Sequence, residues 1–270
     1  TGVLGMSELL LDTPLDHQQR GYVDAIRRAG RHLLRLVNDA LDLARIESGR
    51  LELADVPFAL RTVVHEAASL MAPLARQRGL AFLITVDPDA PLGLRGDVNR
   101  VCQILLNLLA NAIKFTETGS VSLRVSALAP QGVCLEIADT GPGLSEEQLA
   151  RLFRRFEQAE GARTAARYGG SGLGLAICQE LTAEMGGTIE VDSAPGEGAR
   201  FIVRLPLPVV AAPAPHDGAE TLLASRSGPL TLLLVEDDPT VTEVIAGLLR
   251  AQGHRVTTVA HALAALAEAA

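Results

Sequence analysis

The apolar positions of residues 17–47 recur at heptad spacing, with charged residues between them. Two interleaved series form the pattern, namely Tyr22, Ala29, Leu36 and Leu43, and Ile26, Leu33 and Ala40. This spacing predicts a long helix with an apolar seam. Residues 3–11 are typical of the end of another helix, which stops before Pro14 because the residue preceding a proline disfavours helical dihedrals. The first part of the chain is therefore predicted to be a hairpin of two antiparallel helices.

A two-helix hairpin cannot enclose its own apolar seam. Pairing with a second copy into a four-helix bundle is the simplest way to bury the seam. We therefore predict a homodimer through residues 1–50.

After residue 50 the pattern changes to mixed helices and strands, which indicates a separate α/β domain over 51–208. Alternating apolar and polar positions predict strands at 120–126 and 133–138, and a helix is predicted at 98–114. The fold class is α+β.

Residues 209–229 are rich in Pro, Ala, Gly and Ser, a composition typical of a flexible linker. The following apolar run ends at Val235 and predicts a buried parallel strand that leads into a helix. It begins a third unit, residues 230–270.

Composition excludes some classes of protein. The formal net charge is -8 and the 24 basic residues are scattered, which argues against direct binding to nucleic acid. No run approaches the roughly 18 apolar residues of a membrane span. We expect a cytoplasmic location and no membrane contact by this segment, while a longer parent protein can still be anchored in the inner membrane.

One motif with chemical potential lies on the predicted helix at 107–114, NLLANAIK. Spacings of four and three place Asn107, Asn111 and Lys114 on one helix face. An amide oxygen can ligate Mg²⁺ held on phosphates, and an ammonium group can meet phosphate charge. Taken alone, the motif is better explained as a solvated helix face.

Two glycine-rich segments follow. The first, DTGPG, begins at Asp139 directly after a predicted strand, and Gly141 and Gly143 allow a tight backbone there. The second, GGSGLGL, precedes a helix predicted to begin near Leu175, so backbone amides at the positive helix end can face phosphates. An ordinary turn is the alternative for the first segment.

A fourth motif, LFRRF, contains Phe153 and Phe156. It lies between the glycine-rich segments, in a polar stretch of the length expected of a lid. Core packing is the alternative explanation for these phenylalanines.

In this order, the four motifs resemble the N, G1, F and G2 boxes of the histidine kinase catalytic domain. The resemblance extends over residues 1 to about 208, where PGEG at 195–198 and a strand at 199–205 resemble the family's ending. It implies an α/β sandwich of the Bergerat type, in which Mg²⁺ and ATP lie under a mobile lid.

The resemblance also implies roles for individual residues. Asp139 would accept a hydrogen bond from the adenine amino group, Asn111 would hold Mg²⁺, and Lys114 and Asn107 would contact phosphates. The remaining ATP-site residues would shape the base pocket (Gly141 and Gly143), close the lid (Gly170, Gly172, Leu173 and Gly174) and anchor it (Phe153 and Phe156).

Related gyrase-like, chaperone and mismatch-repair ATPases place a glutamate four residues before the Mg²⁺ asparagine. Here that position is Asn107. Because a neutral amide cannot act as a general base, ATP is expected to be held for transfer rather than hydrolysed.

Neither phosphate acceptor is expected within the chain. Residues 2–10 resemble the segment that follows the family's H box, so the acceptor histidine would precede Thr1. No histidine of the chain has that sequence context: His17, His32, His65, His216, His254 and His261. We assign no phosphoacceptor, and we do not expect this segment alone to autophosphorylate.

Residues 232–238 resemble the first strand of a response-regulator receiver domain, in which Glu236 and Asp237 would hold Mg²⁺ beside an acceptor aspartate beyond Ala270. The expected parent protein is a hybrid sensor histidine kinase of a two-component phosphorelay. Phosphate would pass from ATP to a bundle histidine, and then to a receiver in cis or a response regulator in trans. The alternative is a dimeric, nucleotide-binding signalling scaffold without phosphotransfer.

Overall fold

The computed structural model describes residues 2–11, 13–154, 172–212, 229–251 and 253–260. The helices are α1 (Gly2–Leu11), α2 (His17–Glu47), α3 (Leu60–Gln77), α4 (Val98–Phe115), α5 (Glu146–Leu149), α6 (Gly174–Glu184) and α7 (Pro239–Ala251). The strands are β1 (Val56–Ala59), β2 (Ala81–Val86), β3 (Gly93–Gly96), β4 (Ser120–Ala127), β5 (Val133–Asp139), β6 (Thr188–Ser193), β7 (Ala199–Leu205), β8 (Val209–Val210), β9 (Thr231–Val235) and β10 (Arg255–Val259).

These elements form two compact units. One contains the described residues up to Asn38 together with those from 229 onward, and the other contains the described residues from Asp39 to 212. The predicted fold class, a helical hairpin followed by an α/β sandwich domain, is confirmed.

The hairpin contacts join α1 to α2. Gly30 provides space for the Leu4 side chain, because a Cβ at Gly30 would lie 2.9 Å from Leu4 Cδ2. Arg31 forms a salt bridge of 3.2 Å with Glu8. Among the described residues, part of the predicted seam of α2 is exposed: Tyr22 is 60%, Ile26 47% and Leu33 61% exposed.

The same unit contains a parallel pair of strands, β9 and β10. Helix α7 lies between these two strands in the chain. Pro239 begins α7, and the Asp238 carboxylate accepts a hydrogen bond of 3.2 Å from the Val241 amide. Helix α7 packs on α1, where a Cβ at Gly247 would lie 3.2 Å from Leu9 Cδ1. No described helix is long and apolar enough to cross a membrane.

The second unit is built on a five-stranded sheet in the order β2-β4-β5-β7-β6. The β2–β4 pair is parallel, and the other pairs are antiparallel. Helix α4 lies at the centre of the helical layer, between α3 and α6, and packs on the sheet. Its fully buried face carries Val101, Ile104, Leu105, Leu108 and Leu109. This face fixes the direction in which the other side of α4 points.

The last turns of α2 also belong to this unit. Leu43 and Ile46 are buried in its core. The Asp42 carboxylate accepts hydrogen bonds from Arg100 Nη1 at 3.0 Å and Gln103 Nε2 at 2.9 Å. Both the apolar and the polar side chains at the end of α2 therefore bind to the α4 layer.

Candidate nucleotide-binding site

A buried carboxylate fixes the start of α4. One oxygen of Asp97 accepts hydrogen bonds from the amides of Asn99 and Arg100, at 3.0 and 3.1 Å, which caps the helix. The other oxygen accepts a bond of 3.1 Å from the amide of Ala54. The side chain thus ties the connection after α2 to the helix that carries the first motif.

The polar stripe of α4 comprises Asn107, Asn111 and Lys114. The structure places all three beside the buried stripe, and each is half-buried. The Nδ2 atom of Asn107 is buried and has no hydrogen-bond acceptor in regular geometry among the described residues. A buried amide that lacks a full partner is costly, so it marks a position where a ligand can bind.

The Asn107 side chain lies against α6. A Cβ at Gly174 would be 3.9 Å from Asn107 Nδ2, and the Cys178 thiol interacts weakly with the same side chain. Burial raises the pKa of Cys178 to about 12, so the thiol is protonated and inert at neutral pH.

Arg78 supports the other end of α4. Its Nη1 atom donates hydrogen bonds to the carbonyl oxygens of Ile113 and Lys114, at 3.0 and 2.8 Å. A guanidinium at this position satisfies two helix-terminal carbonyls and complements the negative end of the helix dipole. The Lys114 ammonium lies 4.6 Å from the centre of the Phe115 ring. The backbone that carries Lys114 is held in place from outside the helix.

Asp139 ends β5, and its carboxylate accepts a hydrogen bond of 2.8 Å from the Gly141 amide. Burial raises the pKa of Asp139 above its ordinary value, against the opposing effect of hydrogen bonds from the Gly141 and Ala199 amides. A Cβ at Gly141 would lie 2.8 Å from Asp139 Oδ1 and 3.3 Å from the carbonyl oxygen of Phe115. The turn after β5 therefore fits closely against the end of α4.

A second segment, the turn between β6 and β7, packs against the turn after β5. Gly143 has a φ of 69°, and a Cβ there would overlap the Ala194 carbonyl oxygen. Gly198 has a φ of 77°, and a Cβ there would overlap the Asp139 carbonyl oxygen. The Gly196 amide donates a bond of 2.7 Å to a carbonyl of the facing turn. The sequence suggested only a family ending here, although the glycines of PGEG were the available signal.

The predicted site residues of the second glycine-rich segment lie at the start of α6. Gly172 has a φ of 67°, Leu173 is buried, and Gly174 is the first residue of the helix. Phe153 is half-buried at the edge of the core. The predictions for Phe156 and Gly170 lie outside the described residues.

The predicted metal residues Glu236 and Asp237 follow β9. Glu236 Oε1 accepts a hydrogen bond of 3.1 Å from the Asp238 amide, and Asp237 is exposed. The part of the chain that the structure describes contains no group of three His, Cys, Asp or Glu side chains suited to a metal ion.

The described residues thus bring three predicted segments together. The turn after β5 touches the end of α4, and the start of α6 touches its middle through Asn107. A carboxylate, two amides, an ammonium group and a helix N-terminus surround one side of α4. This set of groups can recognise a ligand with a hydrogen-bonding base at one end and anionic groups at the other.

Comparison with known proteins agrees with this arrangement. Residues 96–209 match the histidine kinase-, DNA gyrase B- and HSP90-like ATPase family, and residues 1–49 match the His Kinase A (phospho-acceptor) domain. Sensor histidine kinase AruS of Pseudomonas aeruginosa is 41% identical over 98% of this chain and 26% of its own length. Sensor protein TorS of Escherichia coli is 36% identical over 98% of this chain and 28% of its own length. The chain therefore spans about a quarter of the length of these relatives.

A solved structure extends the similarity to nearly the whole chain. The crystal structure of full-length ShkA in complex with AMPPNP has a TM-score of 0.66 and 37% sequence identity, over 98% of this chain and 54% of that protein. The two domain matches occur in the order predicted from the sequence. The similarity to the sensor kinases AruS and TorS extends over almost all of this chain. This chain belongs to the hybrid sensor histidine kinase family.

Proposed function

We propose that this chain is the ATP-binding core of a protein-histidine kinase that uses Mg²⁺-ATP. In the parent protein it presents the γ-phosphate to a bundle histidine, from which the phosphate passes to a receiver aspartate. The observation that carries the proposal is the convergence of the α4 polar stripe, the Asp139 turn and the start of α6.

The base end of the site fits adenine. The Asp139 carboxylate is positioned by the Gly141 amide and can accept a hydrogen bond from the exocyclic amino group of the base. A side chain at position 141 would collide with that carboxylate, because a Cβ at Gly141 would lie 2.8 Å from Asp139 Oδ1.

The phosphate end fits a triphosphate. The buried Nδ2 of Asn107 can donate to a phosphate oxygen, and the Lys114 ammonium can neutralise phosphate charge. Helix α6 begins at Gly174, and the backbone amides of a helix N-terminus suit an anion. The Asn111 side-chain oxygen would hold Mg²⁺, which neutralises charge on the phosphates.

The position of Asn107 favours transfer over hydrolysis. An amide cannot take a proton from water, so the site lacks a general base at the position where related ATPases carry a glutamate. The chain is then expected to hold ATP until an acceptor group arrives.

The partners that we propose follow from the hairpin and from the segment that contains β9, α7 and β10. The exposed apolar side chains of α2 support burial against a second copy of the chain in a four-helix bundle. The unit of β9, α7 and β10 is proposed to begin a receiver, with Glu236 and Asp237 as its Mg²⁺ residues. The acceptor histidine is proposed to precede Thr1.

Autophosphorylation of the parent protein tests this function. With γ-labelled ATP we expect a histidine-linked label that is lost in acid and retained in alkali, as for a phosphorus–nitrogen bond, and an aspartate-linked label that is lost in alkali. The same reaction should release little inorganic phosphate over many minutes. Binding of ATP without label on the protein would support the scaffold alternative, and steady phosphate release would support an ATPase.

A further inference from the structure

The base end of the site is made of two segments far apart in the sequence. The turn after β5 carries Asp139, Gly141 and Gly143, and the β6–β7 turn faces it. Each segment has a glycine at the closest approach to the other, and the Gly196 amide bonds to the Pro142 carbonyl. The shape of the base end depends on the distance between these two turns.

A hydroxyl group bridges the turns. Ser193, the last residue of β6, donates a hydrogen bond of 2.6 Å from Oγ to the Gly198 carbonyl oxygen. The same Oγ accepts a bond of 2.9 Å from the Leu144 amide, at the far end of the Asp139 turn. A hydroxyl has one proton to donate, so this donation fixes its orientation and leaves a lone pair for the amide.

The bridge complements the contact at the start of the turn. There the Asp139 carboxylate accepts the Gly141 amide, and at the end of the turn Ser193 accepts the Leu144 amide. Side chains therefore hold both ends of the turn. The backbone between them cannot shift without breaking one of these two hydrogen bonds.

We propose that Ser193 is a positioning residue for the adenine end of the nucleotide site. It acts through the Asp139 turn and does not itself contact the base. This proposal rests on the proposed function, since it assigns the base to that turn.

The test compares Ser193→Ala with the wild type in calorimetric binding of AMPPNP and GMPPNP. Loss of the bridge leaves the half-buried Leu144 amide without its acceptor, which is expected to weaken AMPPNP binding about tenfold. Binding of GMPPNP should weaken much less, because the defect is in adenine recognition. The ratio of AMPPNP affinity to GMPPNP affinity should therefore be lower in Ser193→Ala than in the wild type.

Two further variants serve as controls. Ser193→Thr keeps the hydroxyl and is expected to retain AMPPNP affinity within about threefold. Ser122→Ala removes a strand serine whose hydroxyl makes a bond of 3.4 Å to the Ala138 carbonyl, and it should leave both affinities unchanged.

Wild-type affinity ratios in folded Ser193→Ala would overturn the proposal, as would equal weakening of both nucleotides. If Ser193→Ala does not fold, Ser193→Cys decides the matter, because a thiol makes weaker bonds and should give an intermediate fall in the ratio. An unchanged ratio in Ser193→Cys would overturn the proposal. Failure of the wild type to bind AMPPNP would instead contradict the proposed function.

Discussion

Replacement of Gly198 by alanine is expected to lower the free energy of unfolding by about 2–5 kcal/mol. A left-handed backbone costs a residue with a Cβ about 1–2 kcal/mol. Here the new Cβ would also overlap the carbonyl oxygen of Asp139, and moving the two turns apart is expected to cost about 1–3 kcal/mol more. Urea unfolding of the nucleotide-free chain measures the sum. The displaced turn should also weaken nucleotide binding.

Gly196 offers a matched control in the same turn. Its φ is 84°, and a Cβ there would have no neighbour within 4 Å. Gly196→Ala should therefore incur only the conformational cost, about 1–2 kcal/mol. Equal destabilisation of the Gly196→Ala and Gly198→Ala chains would show that the close approach to Asp139 has no energetic importance.

Asp139→Asn is expected to weaken binding of an ATP analogue by about 10–100-fold. A carboxylate is a stronger acceptor than an amide, and hydrogen bonds to charged groups contribute about 1.5–3 kcal/mol. The amide can also present its NH₂ group to the adenine amino group, which adds a repulsive contact. Calorimetry with AMPPNP measures the loss of affinity. The ratio of wild-type to variant affinity should be the same for adenosine, because the change is at the base end.

The same substitution should make the nucleotide-free chain more stable at neutral pH. Burial raises the pKa of Asp139, so its neutral form is favoured in the folded state. That contribution to stability is present below the ordinary pKa of 3.8 and is lost as the pH rises through the raised value. Asparagine stays neutral throughout.

Thermal unfolding of the wild type and of Asp139→Asn between about pH 3.5 and pH 7 measures this difference in stability. The Asp139→Asn chain should gain stability over the wild type as the pH rises, with little difference at the acid end. A variant that is less stable than the wild type at pH 7 would mean that the hydrogen bonds from the Gly141 and Ala199 amides outweigh the cost of burial.

The sequence predicted the regular elements closely, because their signals are local and repeat along the chain. The heptad pattern predicted a helix at 17–47, and the structure has α2 over His17–Glu47. Alternation predicted strands at 120–126 and 133–138, which the structure extends by one residue each. The polar stripe of α4 also follows from helix geometry alone.

Tertiary details of the site could not be predicted in this way. Ser193 acts through a single hydroxyl on an amide 49 positions away, and such a pairing leaves no periodic trace. The bonds of Asp42 to Arg100 and Gln103 likewise join segments about 60 residues apart. The apolar pattern of α2 continues unchanged through its last turns, so nothing in the sequence marks Asp42 as a residue that bonds to α4.

Calorimetric binding of AMPPNP, with and without Mg²⁺, tests the central claim that this chain holds Mg²⁺-ATP on α4. The wild type is expected to bind the analogue much more tightly with Mg²⁺ than without it, and Asn111→Ala should abolish the gain from Mg²⁺ because the metal loses its side-chain oxygen. Absence of binding by the folded wild type, or Mg²⁺-dependent binding that survives in Asn111→Ala, would contradict the account.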